Sequence, residues 1–158
     1  MRAHIFSTGK AILMKKNYIY LIIAILATVF IFSNSMQNAD ESSKISGGLL
    51  MAVSRFTERF NFTVSHHFLR KAAHFTEFFM QGVFLTLFFK NTRLRLQGGA
   101  VYVAFLGLLT ACCDEFIQLF FDGRGSQVSD VFIDFSGTVT SILIVAAVLC
   151  FRRRKKLC

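Results

Sequence analysis

His74 and Glu77, Asp114 and Glu115, and Asp130 and Asp134 are an imidazole and five carboxylates set in otherwise apolar sequence, with Ser33, Gln118, Arg124 and Gln127 close by. Ionisable groups are expensive in hydrocarbon, so where the surrounding chain belongs in lipid they mark a site by default. The residue types define the chemistry. An imidazole beside carboxylates serves general acid–base work, and an arginine grips a phosphate through paired hydrogen bonds. His74 is assigned as general base, Glu77 as its orienting partner, and Asp114 and Glu115 as a second acid–base pair. Ser33, Gln118, Arg124, Gln127, Asp130 and Asp134 are assigned to substrate binding.

The same residues offer hard oxygen ligands. Asp130 and Asp134, one helical turn apart, with Asp114 and Glu115 opposite, suit Mg or Mn. This pair partly resembles the Asp-x-x-x-Asp of CDP-alcohol phosphotransferases, but the upstream Asp-Gly-x-x-Ala-Arg of that family is missing, which leaves the metal unassigned and a cofactor unknown.

The elements that position these groups are transmembrane helices. Of 158 residues, 54% are hydrophobic, 20 are Phe and only 17% are charged, with a mean hydropathy of +0.53. That excludes an ordinary soluble domain. Apolar runs at 18–35, 72–89, 98–121 and 131–151 each approach the roughly 20 residues that cross a bilayer. An open sheet would strand backbone groups in lipid, and barrel-type alternation is absent. The fold class is therefore all-α: a polytopic bundle of four transmembrane helices, with a basic arm at 1–17, the membrane domain at 18–151 and a basic tail at 152–158.

Charge sets the orientation. The arm carries Arg2, Lys10, Lys15 and Lys16, the link after the second run Lys90, Arg93 and Arg95, and the tail Arg152, Arg153, Arg154, Lys155 and Lys156. The positive-inside rule places all three in the cytoplasm, with both termini inside. The net charge of +9 follows from this juxtamembrane bias and from anionic lipid, so nucleic acid is not an expected partner. The exit from the first run, Ser33-Asn34-Ser35-Met36-Gln37, has no small-x-small cleavage pattern, and an uncleaved first helix is expected. In the long outer connection Leu49, Leu50, Val53, Phe56 and Phe60 fall at helical spacing, which fits a short amphipathic helix on the leaflet.

Depth then gathers the polar groups. His74, Glu77 and Gln81 fall within roughly 60° of one another around the second helix, in its outer half. Asp114, Glu115 and Gln118 occupy the outer half of the third helix, Asp130 and Asp134 open the fourth, and Ser33 and Ser35 close the first. Each has a plainer reading: His74 and Glu77 as a simple pair, Asp130 as a helix N-cap, Asp114 and Glu115 as solvated interfacial acids. His66 and His67 read as surface residues, and Cys112, Cys113, Cys150 and Cys158 as packing residues without a disulfide or metal pattern. Clustering at one depth favours a cavity over scattered interhelical glue.

In order along the chain stand Phe32-Ser33-Asn34-Ser35, Glu41-Ser42-Ser43, Lys71-Ala72-Ala73-His74-Phe75-Thr76-Glu77-Phe78, Asp114-Glu115-Phe116-Ile117-Gln118, then Gly123-Arg124, Asp130, Asp134 and Gly137. Together they resemble the VanZ-like family. Phe78 stands where the family commonly has Tyr, and Asp134 where Asn is also common. The resemblance implies a small multi-pass protein of the bacterial cytoplasmic membrane. The family's founding member is linked with resistance to teicoplanin, a glycopeptide that engages lipid-linked cell-wall precursors. The expected partner is a membrane lipid or lipid-linked substrate whose head group reaches the polar layer. Two rival functions remain: a non-enzymic protein that binds or shields an envelope component, and a proton-coupled carrier, against which the bare inner half counts.

Overall fold

A computed structural model describes residues 2–37, 65–92, 94, 96–121 and 125–155. Over these residues the chain forms α1 (Arg2–Ser35), α2 (His66–Lys90), α3 (Leu96–Gln118) and α4 (Val128–Arg154), and no strand. All four are long and apolar enough to cross a membrane, over Asn17–Ser35, His67–Lys90, Gly98–Gln118 and Val128–Arg154. The protein is a multi-pass helical membrane protein.

Burial supports this reading, because the bundle is inverted relative to a water-soluble one. Fully buried side chains include Ser35, Gln81, Gln118, Asp114, Asp134, Thr138 and Ser141, whereas Ile22, Leu26, Val101, Phe105, Phe132 and Leu143 are exposed. A surface this apolar would drive association in water; in hydrocarbon it is solvated, and the polar groups are the ones that must turn inward.

The helix ends are fixed locally. Ser65 caps α2 through its hydroxyl, which accepts from the Phe68 amide at 3.2 Å. Lys90 lies in the last turn of α2 and Arg152, Arg153 and Arg154 in the last turn of α4, where cations complement the helix dipole. Helix α4 starts at Val128 with Gln127 as its N-cap, so Asp130 is not the cap but a first-turn acid. Helix α1 continues without a break from Arg2, so the N-terminal basic segment prolongs the first helix. The second helix begins before the expected residue 72 and the third ends before residue 121. The amphipathic element expected near residues 49–60 lies outside the described residues.

Helix α2 is central: it packs most extensively on α4, then on α1 and α3. Glycines make the α2–α4 seam close. A Cβ at Gly137 would overlap the Phe75 carbonyl oxygen and stand 3.1 Å from the Phe79 amide nitrogen, both backbone atoms of α2. Only glycine permits this approach, and it brings Asp134, one turn earlier on α4, to the level of His74. Lower in the bundle Gln81 donates to Thr28 at 2.7 Å and Thr110 at 3.3 Å, tying α2 to α1 and α3.

Candidate functional site

Asp114 is the anchor of the polar end. It is fully buried, and its two oxygens are held differently. Ser35, the last residue of α1, donates to Oδ1 at 2.5 Å, and Gln118, one turn further along α3, donates to Oδ2 at 3.0 Å. The Gln118 amide also reaches the Ser35 hydroxyl at 3.4 Å. Charge-assisted hydrogen bonds of this kind fix both position and rotamer of the carboxylate.

Above it His74 faces two carboxylates at once. Its Nδ1 stands 3.7 Å from Asp114 Oδ2 and 3.7 Å from Asp134 Oδ1. Both separations exceed a hydrogen bond. Asp134 is 1% exposed, and neither of its oxygens accepts a hydrogen bond from a described residue. A buried carboxylate with no donor is costly, so this group is held for something other than packing.

A pocket with room for about one water molecule or ion, ≈ 10 Å³, opens beside these groups, lined by Arg70, Lys71, His74, Glu115, Gln118, Asp130, Ile133 and Asp134. Lys71 pairs with Asp130 at 2.8 Å across the α2–α4 seam. Arg70 has no carboxylate within ion-pair distance among the described residues. Glu115 is 4% exposed, and its Oε2 accepts from the Gln127 backbone amide at 2.9 Å, which ties the chain entering α4 back to α3.

The structure thus brings His74, Asp114, Glu115, Gln118, Asp130 and Asp134 together, and places the other assigned residues differently. Ser33 is exposed on α1 while Ser35 is buried. Two residues are about 200° apart on a helix, so only one of the pair can face the site. Glu77 is not hydrogen-bonded to His74: its Oε1 accepts from Asn34 at 2.8 Å. Glu77 borders a second cavity, a mostly apolar groove of about 490 Å³ between α1 and α2 lined by Ala27, Phe30, Leu69, Ala73 and Met80. Gln127 contributes its backbone amide, its side chain being exposed. Arg124 lies outside the described residues.

From the sequence, Arg70 and Lys71 read as charges of a mixed-sign connection and carry no assigned role. The signal was their spacing: four and three residues before His74, they sit one helical turn above it on the same face. The donor set for a metal also differs from the Asp130–Asp134 pair. Ligand atoms of His74, Asp114 and Asp134 all lie within 4.8 Å of one another, whereas Asp130 is engaged by Lys71 and Glu115 by Gln127.

Four apolar helices closing a polar pocket at one end define the class: an integral membrane protein with a buried acid–imidazole centre. The family model described as VanZ/LLP1 matches residues 18–150, and the chain belongs to that family. No curated protein and no solved structure matches the chain.

Proposed function

We propose that the protein acts on the phosphate-bearing head group of a membrane lipid or lipid-linked cell-wall intermediate at the outer leaflet. The observation that carries this reading is Arg70, unpaired among the described residues, beside Lys71 at the mouth of a pocket whose walls are His74, Glu115 and Asp134. A cationic mouth over an acidic floor fits an anion that must be held while a proton moves. Lys90 and the Arg152–Arg154 cluster lie at the opposite helix ends. By the positive-inside rule those ends are cytoplasmic and the pocket faces outward.

The reaction class is attack of water or an alcohol on the head-group phosphorus. His74 or Glu115 takes the proton of the attacking hydroxyl as the new P–O bond forms. The P–O bond to the departing alcohol breaks, and that oxygen receives a proton in return. Arg70 and Lys71 hold the phosphoryl oxygens. A changed pool of lipid-linked precursors is also the route by which such a protein would alter susceptibility to teicoplanin.

The test is the lipid and cell-wall-precursor profile of cells with and without the protein, repeated with Arg70→Gln. A shift present with the wild type and lost with the variant at equal membrane abundance supports the reading. An identical profile in all three strains overturns it.

A further inference from the structure

We propose that His74, Asp114 and Asp134 bind a divalent cation of the Mn²⁺ or Zn²⁺ kind, one per chain, at the floor of the pocket. The inference rests on the same site as the head-group reading and reassigns His74 from proton acceptor to ligand.

Three helices supply the donors: Nδ1 of His74 from α2, a carboxylate oxygen of Asp114 from α3 and one of Asp134 from α4. Ions of this kind hold nitrogen and oxygen ligands at about 2.0–2.2 Å, so two donors on one ion stand at most about 4.3 Å apart. The two 3.7 Å separations from His74 already fall inside that limit. The whole set lies within 4.8 Å, and carboxylate rotations that move an oxygen by up to about 1 Å close it around an ion.

The second observation is independent of the clustering. Asp134 is 1% exposed, and both of its oxygens lack a hydrogen-bond donor among the described residues. Asp114, by contrast, is steadied by Ser35 and Gln118, as ligating carboxylates are held by a surrounding layer of donors. One carboxylate is oriented and the other is left open toward the imidazole.

Charge points the same way. Lys71 is engaged by Asp130, and among the described residues neither Asp114 nor Asp134 has a Lys or Arg within ion-pair distance. With both Asp114 and Asp134 ionised beside His74, a protonated imidazole would answer only one of the two charges. A divalent ion neutralises both. An imidazole with two carboxylates favours Mn²⁺ or Zn²⁺ over Mg²⁺ or Ca²⁺, which take oxygen donors.

Three protein ligands leave coordination positions open toward the pocket, as in catalytic rather than structural sites. The space beside His74 and Asp134, ≈ 10 Å³, admits one ion or water. A phosphoryl oxygen steered by Arg70 would complete the coordination, and the ion would polarise it. Glu115, on the pocket wall and outside the ligand set, is then the group left to move a proton.

The test uses the full chain purified in detergent, titrated with MnCl₂ and read by loss of the free Mn²⁺ paramagnetic-resonance signal, with ZnCl₂ as competitor. One Mn²⁺ per chain is expected. Asp134→Asn and His74→Ala should weaken binding by at least about a hundredfold, and Ser35→Ala, which only frees the Asp114 carboxylate, by about tenfold. Ser33→Ala, on the exposed side of α1, should bind as the wild type does. A wild-type chain that binds neither Mn²⁺ nor Zn²⁺ overturns the proposal, as does unchanged affinity in folded Asp134→Asn. Failure is separable from that of the head-group reading: a lipid shift abolished by Arg70→Gln without any bound metal removes the ion alone, and stoichiometric metal without a lipid shift removes the head group alone.

Discussion

Ser35 Oγ lies 2.5 Å from Asp114 Oδ1, a hydrogen bond that joins the last turn of α1 to the acid at the centre of the bundle across 79 positions of sequence. It is a buried bond to a carboxylate, where each donor matters more than at a surface. Ser35→Ala should lower stability by about 1–3 kcal/mol, read as thermal unfolding in detergent, whereas Ser33→Ala should leave the transition where it was. Equal behaviour of the two variants would place the wrong face of α1 inward.

The α2–α4 seam makes a second prediction. Gly137→Ala forces a methyl group into the backbone of Phe75 and Phe79. Overpacking of this kind costs about 1–3 kcal/mol, and because the obstruction is backbone, the helices must part and Asp134 must withdraw from His74. Gly98→Ala meets only Leu94 side-chain atoms at 3.9 Å and should be tolerated. Melting temperatures of the two variants, measured side by side, check this; a Gly137→Ala protein as stable as Gly98→Ala would refute the close approach.

The four spans were legible because a run of apolar residues of bilayer length has few alternatives, and the shared depth of His74, Asp114 and Asp134 followed from counting residues along those spans. Rotation about each helix was not legible. With apolar residues on nearly every side of α1, nothing in the sequence chose Ser35 over Ser33, and the choice falls to packing against Asp114. Spacing alone pairs Glu77 with His74, whereas Asn34, distant in sequence, is the residue that donates to it. Arg70 lies just ahead of the apolar run that opens at residue 72 and so reads as a loop charge; a helix that starts at His66 makes it a pocket residue.

Lys71 and Asp130 form a partly exposed pair at the pocket mouth, with side-chain exposures of 24% and 14%. Such a pair contributes at most about 1 kcal/mol. Lys71→Gln should therefore shift the unfolding midpoint little while weakening the effect on the lipid profile. A large loss of stability without a change in the profile would make the pair a clasp between helices and nothing more.

Orientation is open to direct measurement. Single cysteines introduced in a background lacking the natural ones should react with a membrane-impermeant maleimide in intact cells at Gly125, and only after permeabilisation at Asn91 and Lys155. Labelling of Asn91 in intact cells would put the pocket on the cytoplasmic side.

Whether the buried acid–imidazole centre does chemistry on a head group is decided by comparing cells that carry the wild type, Asp114→Asn, His74→Ala and Leu108→Ala, the last a packing change at an exposed apolar position of α3. Membrane abundance and the lipid and cell-wall-precursor profile are read together. Asp114→Asn and His74→Ala should accumulate normally yet return the profile to that of cells without the protein, while Leu108→Ala should retain the wild-type profile. Wild-type profiles from the Asp114→Asn and His74→Ala chains at normal abundance would contradict that chemistry.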